Sequence, residues 1–196
     1  MKKLIVASNN KGKLKEIKEI LNGIYEVVPM GEAGFTDDIV EDGNSFYENA
    51  LIKAKTVSEA LNADALADDS GLCVEALSGE PGIYSARYSG QHGDDAANRT
   101  KLLKELEGKE NRKAKFVSAV VLYKTDGKIV KGVGETYGTI AFKEEGTNGF
   151  GYDSLFVSDD LHKSFGVASS EEKNSISHRK RALIDLLRHL AIVDCV

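Results

Sequence analysis

Polar and cationic side chains fill consecutive positions near the start of the chain, in Ser8-Asn9-Asn10-Lys11-Gly12-Lys13. An apolar run at 4–7 precedes them and apolar residues at helical spacing follow, which predicts a strand, a polar turn and a helix capped by Asn10. A helix start already carries about half a positive charge, so Lys13 in the first turn is unfavourable unless an anion binds there. The segment therefore indicates a phosphate site, although a solvated helix face would be the better interpretation if it stood alone.

A second helix start shows the same crowding of positive charge, in Ser177-His178-Arg179-Lys180-Arg181. Apolar residues follow it at helical spacing, at 182, 183, 186, 187 and 190. Two helix starts that collect cations strengthen the prediction of an anionic ligand.

Two adjacent acids, Asp68 and Asp69, follow the short apolar run at 65–67 and precede Ser70. This pattern predicts that a strand ends in a turn at the acids, a common place for a site in an α/β sheet. Neighbouring side chains on extended backbone point to opposite sides, so we expect one acid to ligate a metal and the other to brace the turn. An Asp-Ser-Gly turn that uses the acids only for local hydrogen bonds is an equally good interpretation.

A lysine on the apolar face of a helix adds a further cation. The clearest helical pattern begins after Ser45, with Glu48 placed for a capping box and an apolar stripe at 46, 50, 54, 57 and 61. Lys53 falls within that stripe, and the acid Glu41 lies shortly before the helix. A buried lysine is rarely left unpaired, so we expect its ammonium to meet a carboxylate or phosphate in a cleft instead of snorkelling to solvent.

A short aromatic loop is the remaining candidate, with the sequence Phe150-Gly151-Tyr152-Asp153. It combines a ring, a glycine that permits close backbone approach, and an acid, which suits a platform on which a nucleobase stacks. An ordinary aromatic turn ahead of the apolar run at 155–157 is the competing interpretation. Arg87 has two open interpretations as well, pairing with a phosphate or fixing its own loop.

Composition and charge exclude several classes of protein. The 196 residues carry a net charge of −5, which excludes a broad basic surface for a nucleic-acid backbone. No apolar run reaches membrane-spanning or signal-peptide length, and Cys73 and Cys195 form no CxxC pair. We therefore expect a single domain over 1–196 in a soluble, cytoplasmic protein that binds neither nucleic acid nor membrane.

The remaining elements predict a mixed α/β fold. Residues 94–107 have a helical pattern stopped by Gly108, and residues 116–124 and 128 onward form a β-hairpin around the turn at 125–127. The glycine-rich stretch 132–138 differs from a dinucleotide fingerprint because its third glycine is one place late and no helical pattern follows, so we assign it to a strand. Helices at both ends with strands in the middle favour an α/β class.

Five short motifs together resemble the inosine/xanthosine triphosphate pyrophosphatase family: SNNKGK at 8–13, ADDSGL at 67–72, GIYSARY at 82–88, FGYD at 150–153 and SHR at 177–179. Each motif alone is weak, but five in the family's order and spacing are specific. The resemblance runs from residue 4 to about residue 190 and includes Glu-Asn-Ala at 48–50. One departure is Ser154, where the family usually has a proline, and this change would loosen the base-side loop without removing a catalytic group.

The resemblance implies Mg²⁺-dependent hydrolysis of noncanonical purine nucleoside triphosphates (ITP, dITP and XTP) to the monophosphate and pyrophosphate. It also implies an elongated central sheet with flanking helices, two lobes around a deep nucleotide cleft, and a homodimer.

The resemblance further implies roles for individual residues. Asp69 corresponds to the general base and metal ligand, and Glu41 to a second acid that helps hold Mg²⁺. The triphosphate side takes Ser8, Asn10, Lys13, Lys53 and Ser70. The base side takes Phe150, Asp153, Lys173, His178 and Arg179. Their neighbours Asn9, Lys11, Gly12, Gly151 and Tyr152 complete the substrate-binding segments.

Under this assignment the helix start at His178 and Arg179 serves mainly a purine carbonyl, since both side chains donate hydrogen bonds. Two alternatives stay open. One is a phosphatase in which Asp68 or Asp69 is the nucleophile and forms an aspartyl phosphate. The other is a non-catalytic nucleotide sensor, although a sensor needs neither a poised base such as Asp69 nor a second acid such as Glu41.

Overall fold

The fold is that of a computed structural model, which describes residues 1–193, so Cys195 lies outside the described residues. The strands are β1 Lys2–Val6, β2 Tyr25–Pro29, β3 Ala65–Val74, β4 Lys113–Tyr123, β5 Ile129–Ile140, β6 Phe156–Ser158 and β7 Lys163–Ser164. The helices are α1 Lys11–Ile20, α2 Phe46–Leu61, α3 Asp95–Glu105, α4 Ser170–Ile176 and α5 His178–Val193, with 3-10 turns at Glu75–Leu77 and Gly82–Arg87.

One mixed sheet contains these strands in the order β2-β1-β3-β4-β5-β6-β7. Strand β1 is parallel to both neighbours, with Ile5 opposite Val28 on one side and Ala65 on the other. Strands β5, β6 and β7 pair antiparallel. The expected hairpin is confirmed, since β4 and β5 are neighbours joined by a turn in which Lys124 N–H donates to Lys128 O over 2.9 Å. The sheet with its helices confirms the mixed α/β class.

The chain divides into two compact units. Unit 1 comprises residues 1–69, 118–134 and from 179 onward, and unit 2 comprises 70–117 and 135–178. In unit 1, apolar residues of α1 and α5, such as Ile17 and Leu183, pack on Leu66 and Val120 of the sheet. Unit 2 has its own core, which contains Leu72, Leu102, Phe116, Phe156 and Phe165. The expectation of a single domain stays a prediction.

Helix starts follow the capping signals of the sequence. The side chain of Asn10 accepts a hydrogen bond from Lys13 N–H at the start of α1, as predicted. Ser45 caps α2 by accepting from Glu48 N–H, but the Glu48 carboxylate reaches back to Asn44 N–H instead of closing a full capping box. Helix α3 begins after Asp94 and ends at Glu105, slightly short of the predicted 107.

The turn predicted at the two acids is wrong. Strand β3 continues from Ala65 through Asp68 and Asp69 to Val74. Leu72 and Val74, which follow the acids in the chain, are fully buried. Burial of these apolar side chains stabilises the continuation of the strand. Asp68 and Asp69 tolerate burial in mid-strand because cationic side chains surround them, an effect that the local Asp-Ser-Gly signal does not contain.

The glycine-rich stretch 132–138 lies within β5, which confirms its assignment to a strand. A Cβ at Gly132 would lie 2.2 Å from the carbonyl oxygen of Ala182, so α5 approaches the strand closely at that point. Within residues 1–193, no helix has the length and apolar character needed to cross a membrane.

Candidate active site

Asp69 lies in an ion-pair cluster of unit 1 together with a lysine and a second acid. Lys53 Nζ lies 3.3 Å from Asp69 Oδ1 and 3.1 Å from Glu41 Oε2. It also donates to the backbone carbonyl of Asp68 over 3.0 Å. The residue is only 9% exposed, so the predicted pairing of a buried Lys53 with carboxylates is confirmed. Burial opposes the charge of Lys53, but Asp69, Glu41 and Asp68 outweigh it and raise its pKa.

Asp68 has a different set of partners. Its Oδ2 lies 3.0 Å from Lys13 Nζ and 3.2 Å from Arg179 Nη2, and its Oδ1 accepts a hydrogen bond from Ser118 Oγ. Burial alone would raise the pKa of this carboxyl, but Arg179 and Lys13 hold it well below its usual range. Asp68 is therefore ionised at neutral pH and organises cations around it.

Asp69 differs from Asp68 in the partners of its carboxylate oxygens. Its Oδ2 is buried and accepts no hydrogen bond from any residue that the structure describes. Burial raises the pKa of Asp69, and Lys53 and Lys13 only partly offset this, because Glu41 and Asp68 add to the rise. A carboxylate that is buried, incompletely paired and raised in pKa is suited to accept a proton or bind a metal.

The donor set near Asp69 fits one particular kind of metal. Among residues 1–193, no three His, Cys, Asp or Glu side chains form a metal-binding group. Mg²⁺ does not need such a group, because proteins usually hold it through one or two carboxylates and the phosphates of a substrate. Asp69 meets that requirement with its unpartnered Oδ2, and Glu41, which pairs with the same Lys53, supplies a second carboxylate.

The polar turn at 8–13 is ordered by its own side chains. Ser8 Oγ accepts from Asn10 N–H over 3.1 Å, and Asn10 caps α1. Asn9 and Lys11 are exposed, whereas Gly12 is half-buried. Lys13 joins this turn to the acids, because its ammonium contacts both the carboxylate and, at 3.4 Å, the backbone oxygen of Asp68.

Unit 2 contains a second ion pair, which supports the aromatic loop. Lys173 Nζ lies 2.6 Å from Asp153 Oδ2, and both side chains are at least nine-tenths buried. The same Asp153 oxygen accepts from Phe150 N–H over 3.1 Å, and Lys173 lies 4.9 Å from the centre of the Phe150 ring. Gly149 has a φ of +76°, and a Cβ there would lie 2.1 Å from Asp153 Oδ2. The loop therefore presents an aromatic ring beside a buried ion pair.

Two side chains of the predicted base side pack inside unit 2. Tyr152 is buried, and its hydroxyl donates to Ser85 O over 2.7 Å. His178 is also buried, with its ring stacked 4.8 Å from that of Phe116. These contacts give both residues a packing role, while their contact with a substrate stays a prediction.

Arg179 belongs to unit 1, whereas the other predicted base-side residues belong to unit 2. Its guanidinium is 1% exposed and pairs with Glu16 and Asp68 in unit 1. Burial opposes the charge, but these two carboxylates raise the pKa of Arg179 further. The observed contacts assign Arg179 to the organisation of Asp68, and contact with a purine carbonyl stays a prediction from resemblance.

Several structural partners were missed by sequence reasoning. Asp95 accepts from Gly151 N–H and Arg99 donates to Gly151 O, each over 2.9 Å, so α3 holds the aromatic loop by its backbone. Glu16 and Ser118 were missed around Asp68 and Arg179. Only Glu16 left a signal, because it lies one turn before Ile20 on the apolar face of α1.

Three other positions with open roles make local contacts. Ser70, half-buried, follows Asp69 on β3 as the first residue of unit 2. The guanidinium of Arg87 lies 5.2 Å from the ring centre of Tyr84, within its own loop. Ser154 Oγ donates to Glu144 over 2.9 Å, which adds a contact to the loop.

Comparison with known proteins places these residues in a family. The sequence profile of the Ham1 family matches residues 4–189. The dITP/XTP pyrophosphatase of Haemophilus influenzae is 47% identical, over 92% of this chain and 95% of the relative. That of Bacillus subtilis is 46% identical, over 97% of this chain and 98% of the relative. The solved structure of the Staphylococcus aureus Ham1 protein superimposes with a TM-score of 0.85 at 41% identity, over 98% of this chain and all (100%) of that one.

Proposed function

The chain belongs to the Ham1 family, and from this premise we propose that it hydrolyses the noncanonical purine nucleoside triphosphates ITP, dITP and XTP to the monophosphate and pyrophosphate. The observation that carries the proposal is the pair of unlike acids on β3. Asp68 is a fixed anion within a cationic network, whereas Asp69 keeps a buried, unpartnered oxygen. The names of the relatives supply the substrate class.

Asp69 is proposed as the general base. Its raised pKa leaves a carboxylate that accepts a proton from water more readily than an ordinary aspartate does. Lys53 contacts Asp69 Oδ1 and leaves Oδ2 for the water or metal. Attack of that water breaks the anhydride bond between the α- and β-phosphates, so that pyrophosphate leaves, and the proton of the water passes to Asp69.

Cationic side chains of unit 1 are proposed to bind the triphosphate. Lys13 and Lys53 both direct their ammonium groups to the backbone oxygen of Asp68, and their positive charges would attract the phosphate oxygens. Ser8, Asn10 and Ser70 would add neutral donors. Asp69 and Glu41 would hold Mg²⁺, which, when bound, polarises the phosphates and neutralises the developing charge.

The aromatic loop of unit 2 is proposed to select the base. The ring of Phe150 offers a stacking surface, and Lys173 can donate to a carbonyl on the purine. A purine with a carbonyl at position 6 presents an acceptor, whereas adenine presents a donor there. A donor such as Lys173 therefore favours inosine and xanthosine over adenosine.

The test is pyrophosphate release by the purified protein from dITP and XTP, with dATP and dGTP as comparison substrates. We expect release from dITP and XTP that stops when EDTA removes Mg²⁺. Binding of dITP without release would favour the nucleotide sensor. Trapping with hydroxylamine tests the aspartyl-phosphate phosphatase, because hydroxylamine captures an acyl phosphate as the enzyme hydroxamate, whereas direct attack of water forms no such adduct.

Assembly and location complete the proposal. We propose a homodimer that acts on the cytoplasmic nucleotide pool, on the basis of the family resemblance and the substrate class. Light scattering on the purified protein measures the mass, and a value of one chain would contradict the dimer.

A further inference from the structure

We infer that Glu16 is a positioning residue that sets the place of Lys13, acting through Arg179 and Asp68. The inference rests on the proposed function, in which Lys13 binds the triphosphate. Glu16 lies on α1 and is 7% exposed, although it is charged and is no part of the proposed chemistry. Desolvation of a buried carboxylate costs several kcal/mol unless hydrogen bonds and ion pairs offset it. The partners of Glu16 therefore indicate its role.

The contacts link four residues of alternating charge, and the backbone of α1 joins the two ends into a ring. Glu16 pairs with Arg179 Nη1, and Arg179 Nη2 lies 3.2 Å from Asp68 Oδ2. The same Asp68 oxygen lies 3.0 Å from Lys13 Nζ. Lys13 and Glu16 are three residues apart on α1, so the ring begins and ends on one helix face. It joins α1, β3 and the first turn of α5.

Arg179 and Lys13 compete for the carboxylate of Asp68, and Glu16 influences how they share it. Ser118 occupies Oδ1, so Arg179 and Lys13 share Oδ2. A guanidinium prefers to bind a carboxylate with two parallel N–H groups. Glu16 engages one of those groups and thereby prevents Arg179 from taking the whole Asp68 carboxylate, which leaves room for Lys13.

A double-mutant cycle tests this route. Glu16→Gln is made in the wild type and in a Lys13→Ala background, and kcat/KM is measured on dITP. Coupled neighbours typically interact strongly enough for about a 10-fold effect, so we expect that loss in the wild type and almost none once Lys13 is absent. An equal loss in both backgrounds would show a merely structural role and overturn the inference.

Matched variants separate charge from stability. Glu19→Gln changes an exposed acid of the same helix, which lies 3.9 Å from Lys15, and should leave kcat/KM unchanged. Glu16→Asp keeps the charge and should restore part of the lost activity. If Glu16→Gln does not fold, the same cycle is run with Glu16→Asp, whose smaller loss should also vanish without Lys13.

A binding measurement keeps this inference distinct from the proposed function. Titration calorimetry with inorganic pyrophosphate reports on Lys13 without any turnover. If the wild type releases no pyrophosphate from dITP, the proposed function fails while the calorimetric cycle still tests Glu16. Weaker pyrophosphate binding by Glu16→Gln, seen only when Lys13 is present, supports the inference, and unchanged binding overturns it.

Discussion

Lys53 holds one oxygen of Asp69, at 3.3 Å, and leaves the other without a hydrogen-bond partner among residues 1–193. This arrangement orients the carboxylate and preserves its capacity to act. A carboxylate with both oxygens paired would be a structural anion, as Asp68 is. The two acids thus differ in partners, although they are adjacent in sequence.

Asp69→Asn should abolish most turnover and preserve the fold. The amide keeps the shape but cannot accept the proton, and loss of a general base costs about 10² or more in rate. Because the folded pKa of Asp69 is raised, its ionised form is disfavoured in the folded state, so the variant should be at least as stable as the wild type. Pyrophosphate release and thermal unfolding measure both effects. Activity within a few-fold of the wild type would remove Asp69 from the mechanism.

Lys53→Met should shift the acid limb of the pH profile of kcat/KM to higher pH. Asp69 must be ionised to act, so activity falls as pH decreases through its raised pKa. Lys53 lowers that pKa, and its removal therefore raises it further. Lys55→Met is the control, since Lys55 is an exposed cation on the same helix, 3.9 Å from Glu59. An unchanged limb would mean that another group controls the profile.

His178→Ala and Arg179→Ala should affect selectivity differently. The family resemblance gives His178 a hydrogen bond to the purine carbonyl, so its loss should lower activity on dITP more than on dATP, by about 10-fold for one lost polar contact. Arg179 contacts Asp68 and Glu16, so its loss should reduce both activities together. Steady-state kinetics on both substrates measures the ratio. A fall confined to dITP in Arg179→Ala would restore this residue to the base side.

Asp68→Asn should destabilise the protein and reduce its sensitivity to acid. At pH 7 the variant removes the carboxylate that Lys13 and Arg179 share and leaves Arg179 only its pair with Glu16, and breaking a buried pair costs about 3–5 kcal/mol. In the wild type, the folded pKa is depressed below 3.8, so this stabilisation is present above that pH and is lost as pH falls through the folded pKa.

Urea unfolding at pH 7 and near pH 3 measures both effects of Asp68→Asn. The free energy of unfolding should decline less on acidification in the variant than in the wild type. Asp37→Asn, at an exposed position, should behave like the wild type. An equal decline in all three proteins would show that other groups control the acid response.

Gly149→Ala should disrupt the base-side loop. The new Cβ would lie 2.1 Å from Asp153 Oδ2 and displace the acceptor of Phe150 N–H. We expect a lower melting temperature and a smaller preference for dITP over dATP. Gly127→Ala is the matched control, because it has the same sign of φ, +82°, but no atom within 4 Å of the new Cβ. Similar selectivity in both variants would exclude a role for the Asp153 geometry.

Elements set by local spacing could be predicted from the sequence. The cap at Asn10, the burial of Lys53 within an apolar stripe and the hairpin around 125–127 all follow from residues a few positions apart. Each depends on local backbone preference or helical periodicity, which a single sequence contains.

Features that depend on distant pairing could not be predicted. Arg179 and Glu16 are 163 positions apart, and no local pattern joins them. The course of β3 through its acids also depends on cations from α1, α2 and α5, whereas the local sequence favours a turn. At Asp68 and Asp69, tertiary ion pairs therefore outweigh the local preference for a turn.

The alternation of side chains along β3 limits the insertions and deletions that this strand can accept. Asp68 and Asp69 have separate partners on an unbroken strand. Inserting or deleting one residue between Ala65 and Asp68 would move both acids to the opposite faces, so that one acid would take the place of the other and the second would leave its partners. Substitutions test one side chain at a time, but a single-codon length change here would disable both acids together. The length of this segment should therefore tolerate even less variation than its composition.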